Sequence, residues 1–165
     1  SSPACCSTER RPSCSAKLAA MPAPKAPLAS PDDIEQQFYE ALQQGDIEKL
    51  MEAWADDDEI VCIHPGGPRI VGADAIRASF GPMLAKGGVD AHPERVRRVQ
   101  LPGAALHHVV ERIQVITPQG LRPVWVFATN VYAKTGRGWR LVLHHASPGS
   151  MEELPDISEA PSTLH

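Results

Sequence analysis

Near residue 89 the hydrophobic period of this chain changes, and the change constrains the fold more than any single motif does. Upstream, apolar residues recur at helical spacing. Ile34, Phe38, Ala41 and Leu42 fall at i, i+4, i+7 and i+8. Ile47, Leu50, Met51 and Trp54 follow at i, i+3, i+4 and i+7, and Ile76, Phe80, Met83 and Leu84 form a third such stripe. Downstream the period is two, over Ala91–Leu101, Ala104–Thr117, Leu121–Lys134 and Trp139–Ala146. The breaks are Pro102-Gly103, Pro118-Gln119-Gly120 and Thr135-Gly136-Arg137-Gly138, short Gly-containing connections that predict hairpins. Helices first and an antiparallel meander afterwards is an α+β pattern and not an alternating βαβ one.

Local chemistry sharpens the boundaries. Ser30 is a candidate N-cap, Pro31 suits the first helical position, and Asp32 and Asp33 suit the positive end of the helix dipole. Gly45 should end the first helix and Asp46 should cap the second. Ile60–His64 reads as a short strand stopped by Pro65-Gly66-Gly67-Pro68, with a third helix from about Ala73. The domain is therefore expected over 31–147. Residues 1–30, rich in Ser, Pro, Ala and Arg, read as a disordered tail, a transit peptide being the alternative. Residues 148–165 read as a disordered acidic tail.

Charge and motifs exclude several function classes. The 165 residues carry a net charge of −4. Arg10, Arg11, Lys17 and Lys25 against Glu9 give the first thirty residues +3, leaving the remainder at −7. Nucleic acid is thus not an expected partner. No apolar run reaches the ~20 residues that cross a bilayer, so no membrane association is expected and a cytoplasmic location is. Three of the four cysteines precede residue 15, and Cys62 stands alone, which argues against a disulfide core. There is no phosphate loop, no Gly-x-Gly-x-x-Gly, no Cys-x-x-Cys and no Gly-x-Ser-x-Gly.

Several words of sequence, in order, resemble the nuclear transport factor 2-like superfamily. They are Phe38-Tyr39-Glu40-Ala41-Leu42-Gln43-Gln44-Gly45-Asp46, Trp54-Ala55-Asp56-Asp57-Asp58, His64-Pro65-Gly66-Gly67 with Gly72-Ala73-Asp74-Ala75-Ile76-Arg77, and the final Gly138–Pro148 segment. The His-Pro-Gly-Gly and final-strand words point to its SnoaL-like branch. The resemblance covers roughly residues 33–148. It implies a cone-shaped α+β barrel, helices packed on a curved and mostly antiparallel sheet, with an interior pocket and a homodimer through the outer sheet face. It does not imply one activity, because isomerases, cyclases, dehydratases, carriers and oligomerisation domains share this fold.

The resemblance also places candidate residues. His64 stands where similar ketosteroid isomerases carry a carboxylate base, Tyr39 at the position of their oxyanion tyrosine, and Asn130 where their protonated aspartate lies. Two of these three depart from the isomerase pattern. Chemically the set is coherent: a histidine titrates near neutral pH, and a phenol and an amide can donate hydrogen bonds to an enolate. His64, Tyr39 and Asn130 are thus the catalytic candidates, for cofactor-free acid/base chemistry on a small apolar or carbonyl-containing ligand. Trp54, Trp125 and His145 are the ligand-binding candidates. His107-His108 and His144-His145 should each split across the two faces of a strand. One histidine from each pair could join His64 around a metal, but no ligand spacing supports it, and neither a metal nor a cofactor is expected. The alternatives to an enzyme are a ligand carrier and an oligomerisation or interaction domain.

Overall fold

The computed structural model describes residues 29–149. Most of both expected tails lies outside those residues. Helix α1 spans Pro31–Gln44, α2 Ile47–Ala53 and α3 Ala73–Ala85. The strands are β1 Val61–Ile63, β2 Arg69–Val71, β3 Ala91–Leu101, β4 Ala104–Thr117, β5 Gly120–Thr135 and β6 Gly138–Pro148.

The α1 start follows from its caps. Ser30 Oγ accepts from the Asp33 amide, the Asp33 carboxylate accepts from the Ser30 amide, and Pro31 supplies the preset φ. Gly45, at φ 70°, closes the helix in the left-handed region. Asp46 caps α2 through the Lys49 amide. The chain returns from α3 through Gly88, at φ 91°. A Cβ there would lie 2.6 Å from Leu42 O and 2.8 Å from Gln43 O, so only glycine lets β3 start this close to the end of α1.

The six strands form one open, curved sheet in the order β2-β1-β6-β5-β4-β3. Strands β3 to β6 are the expected meander. Strand β2 was not expected: the Pro-Gly-Gly-Pro stretch is the turn of a hairpin with β1, and not merely the end of a strand. Strand β1 pairs parallel to β6, Cys62 opposite His144, which joins the first strand of the chain to the last.

The helices lie on the concave face. Ile34, Phe38 and Leu42 of α1, Leu50 of α2, and Ile76, Phe80 and Leu84 of α3 are buried there against Val109, Val126, Ala128 and Leu141. Phe38 is central, with edge-on contacts to Tyr39, Trp54 and Phe80. Among the described residues no helix is long and apolar enough to cross a membrane.

Candidate functional site

Strand register places a row of polar side chains across the inner face of the sheet. Cys62 of β1 is opposite His144 of β6, His144 opposite Asn130 of β5, Asn130 opposite His107 of β4, and His107 opposite Arg98 of β3. Helix α1 lays Glu35 and Tyr39, one turn apart, over this row, and Glu111 joins from two inward positions beyond His107 on β4, past Val109.

Two hydrogen-bonded groups result. In the first, Tyr39 Oη donates to Glu111 Oε1 at 2.7 Å and accepts from Asn130 Nδ2 at 3.1 Å. Asn130 Oδ1 can only accept, so the ring atom 2.6 Å away, His144 Nδ1, carries the hydrogen. His144 Nε2 then holds the lone pair, 3.9 Å from Glu111 Oε1. In the second group, Glu35 Oε2 accepts from Tyr132 Oη at 3.0 Å and lies 2.8 Å from His107 Nδ1. Neither of those last two atoms can bond the other without a proton between them. Glu35, His107, Glu111, Asn130 and His144 are the buried polar and charged residues among those described.

Burial sets the electrostatics. It pushes the Glu111 carboxyl up to about 7, an effect reduced by the Tyr39 hydrogen bond and reinforced by the Glu35 charge. Burial holds the Tyr39 phenol well above its usual range, so it stays a protonated donor, and the Glu111 charge adds to this. Burial likewise drives the Tyr132 phenol upward. His144 is pushed down to about 3, first by burial and then by His64 and His145, so it stays neutral.

A cleft of about 330 Å³ between α1 and β3 reaches these groups at Glu35 and Tyr39; Gln43, Pro93, Val96 and Arg98 also line it. A wider depression of about 570 Å³ lies between α2, α3 and the β5–β6 turn, against Trp54, Arg77 and Arg140.

The structure joins Tyr39 to Asn130 directly, and beside the Cys62–His144 end of the same row, with its Nε2 3.9 Å from Cys62 Sγ, stands His64. Its Nε2 lies 3.1 Å from Ser79 Oγ and its ring packs on Phe80. The Ser79 hydroxyl hydrogen is committed to Ile76 O at 2.7 Å, so His64 donates from Nε2 and keeps its lone pair on Nδ1. Half-burial lowers its pKa. Trp54 is buried and lines the wider depression, and its Nε1 has no hydrogen-bond partner among the described residues.

Trp125 and His145 do not reach the interior. Trp125 alternates with buried Val126 and lies on the outer face. His145 is exposed, and its neighbour His144 is the inward one. The reason is a bulge. Tyr132 pairs with Leu141 but Val131 pairs with Leu143, so β6 carries one extra residue there. Odd-numbered residues point inward before it and even-numbered ones after it. A strict count of two from Leu141 arrives at the wrong histidine. The three-histidine metal set does not converge either, since His64, His107 and His144 bond to Ser79, Glu35 and Asn130 respectively. Glu35 and Glu111 were not among the candidates. A carboxylate at an apolar-phase position of its helix or strand was the available signal.

The sequence profile of the SnoaL-like domain matches residues 32–151. Among solved structures, a protein from Thiobacillus denitrificans described as a calcium/calmodulin-dependent protein kinase type II association domain is 31% identical, with a TM-score of 0.67, over 74% of this chain and 98% of its own. A Streptomyces avermitilis protein described as a dehydratase of the NTF2-like family is 30% identical, with a TM-score of 0.64, over 71% of this chain and 92% of its own. The S. rosetta CaMKII hub shares the fold at 18% identity and a TM-score of 0.62, over 77% of this chain and 100% of its own. No curated protein matches the chain.

Proposed function

The chain belongs to the SnoaL-like domain family, and on that premise we propose that it binds a small carbonyl-containing molecule in the α1–β3 cleft and moves a proton to or from it. The observation that carries this reading is the buried Glu111 carboxyl, held near neutrality and 2.7 Å from the Tyr39 hydroxyl. A general acid or base works best when its pKa lies near the working pH. When Glu111 is ionised, Tyr39 donates to it. When Glu111 is protonated, its own O–H turns onto the phenol oxygen, which frees the Tyr39 hydrogen for a ligand carbonyl. Asn130 holds the phenol in either state, and neutral His144 holds Asn130. The likeness to a protein described as a dehydratase agrees with acid/base chemistry. In this reading the proton-transfer role moves from His64 to the Glu111–Tyr39 pair.

The test is a thermal-shift panel of hydrophobic ketones and polyketide-like acids on the wild type and on Tyr39→Phe, which keeps the packing and removes the hydroxyl. A binder at about a hundred times its dissociation constant adds ~2.7 kcal/mol, a shift of several degrees. That shift should appear with one carbonyl class and shrink in Tyr39→Phe. A flat panel, or a shift that survives the substitution, removes the reading.

A second reading rests on the outer sheet face. Leu106, His108, Trp125, Phe127, Val131 and Leu143 form a half-buried apolar surface there, with His108 and Phe127 stacked at 6.0 Å. The likeness to a protein described as an association domain favours self-assembly through this face. Light scattering should then give roughly twice the chain mass, and Phe127→Glu, which places a charge between Trp125 and the Leu106–Val131–Leu143 end of the patch, should give a monomer. A monomeric wild type at micromolar concentration overturns this.

A further inference from the structure

We propose that Glu35, His107 and Asp32 form a divalent-cation site at the inner end of the α1–β3 cleft. The inference goes beyond the proton-transfer reading and does not depend on it. The three offer one nitrogen and two carboxylate oxygens, all within 4.8 Å of one another. Glu35 and His107 are buried, and the exposed Asp32 lines the cleft mouth beside them.

The geometry suits a borderline ion such as Zn²⁺ or Co²⁺. Bonds of about 2.0–2.2 Å put neighbouring donor atoms about 2.9–3.5 Å apart. Glu35 Oε2 and His107 Nδ1, at 2.8 Å, are already close to that spacing. Tyr132 Oη, 3.0 Å from the same carboxylate oxygen, fixes its direction as an outer partner of a ligand does. Asp32 is the member that has to move. Its Oδ1 accepts from Arg98 Nε at 2.7 Å, but both side chains are more than half exposed, and such a surface pair is held weakly. The cleft leaves room for water at the remaining positions. Binding needs the Nδ1 lone pair, so the hydrogen between Glu35 and His107 leaves that nitrogen, and the two positive charges of the ion are matched by the Glu35 and Asp32 carboxylates.

Sequence spacing conceals this set. Asp32 and Glu35 are one helical turn apart, whereas His107 comes from a strand 72 residues beyond Glu35 and is placed by the sheet register.

The full chain, stripped with a chelator, is titrated with Co²⁺ and followed by its visible absorption. We expect one equivalent to bind with a dissociation constant below about 100 μM. His107→Gln should abolish binding, and His145→Gln, on the outer face, should leave it unchanged. Asp32→Asn changes an exposed side chain, so it decides the matter even if His107→Gln does not fold; it should weaken binding at least roughly tenfold. Absence of binding up to about 1 mM, an unchanged constant in Asp32→Asn, or loss of binding in His145→Gln overturns the proposal.

Discussion

Glu111→Gln should raise stability at pH 8 by about 3 kcal/mol, roughly 10 °C in melting temperature, and leave it nearly unchanged at pH 4.5. The native carboxyl titrates at about 7, against 4.5 for the unconstrained group. Between those values the folded protein keeps a proton that the unfolded chain has released. Stability therefore falls as pH rises from about 4.5 to about 7 and stays lower above that range. Glutamine keeps an acceptor for Tyr39 and never ionises, so the variant escapes this loss. His144 acts in the opposite sense. Its native pKa of about 3 lies below the usual 6.5, so stability falls as pH drops through that interval. The two slopes oppose each other between about 4.5 and 6.5. The variant, with only the His144 slope left, should gain stability with pH across the window in which the contribution of the wild-type pair is flat. Urea unfolding of both proteins at several pH values checks this. Equal stability differences at pH 4.5 and pH 8 would show that Glu111 is not titrating against burial.

Asn130→Leu should cost about 2–5 kcal/mol, a large part of the ~5–15 kcal/mol that holds a domain together. The side chain is fully buried and bonds on both sides, donating to Tyr39 and accepting from His144. Leucine has the same number of side-chain heavy atoms and is somewhat bulkier, so no cavity forms, and any crowding only adds to the loss. What remains is the desolvation of two buried partners, one a phenol oxygen and the other an imidazole N–H, each left with a bond unmade. Tyr39→Phe removes one of those orphans in advance. The double variant should therefore lose less than the sum of the two single ones, by about 1 kcal/mol or more. Strict additivity, or a loss below about 1 kcal/mol for Asn130→Leu alone, would show that the amide does not hold the group together.

The architecture was legible because its signals are local. Ser30, Pro31, Asp33 and Gly45 define α1 through chemistry within one helical turn, and the Gly-containing breaks fix the hairpins. The site was legible in part. Tyr39 and Asn130 were found and do meet. Glu111 and Glu35 were not, because a carboxylate on a strand or helix face reads as solvated until the opposite layer is known. His145 was preferred to His144 on the resemblance of the final-strand word, whereas a single extra residue in β6 turns His144 inward and His145 outward. His64 was expected to end the first strand, which stops at Ile63, and its partner, Ser79, comes from a helix whose docking only the tertiary structure gives.

The parallel pairing of β1 with β6 has a consequence for the order of assembly. The hairpins from β3 to β6 close through short loops, and α1 and α2 are neighbours in the chain. Cys62 and His144, by contrast, meet only after 82 residues of chain have been brought back on themselves. Such distant pairings are entropically the most expensive to form, so they tend to come late in folding. Tyr39 likewise reaches Glu111 and Asn130 only across 72 and 91 residues, whereas Asn130 and His144 meet inside the β5–β6 hairpin. A chain that has collapsed without these long-range contacts would hold its secondary structure and still lack the buried Tyr39–Glu111 hydrogen bond. The same nascent state would leave the β6 edge open to a strand from another molecule. Closure of the sheet by β1 and docking of Tyr39 by α1 are thus the two long-range steps of assembly.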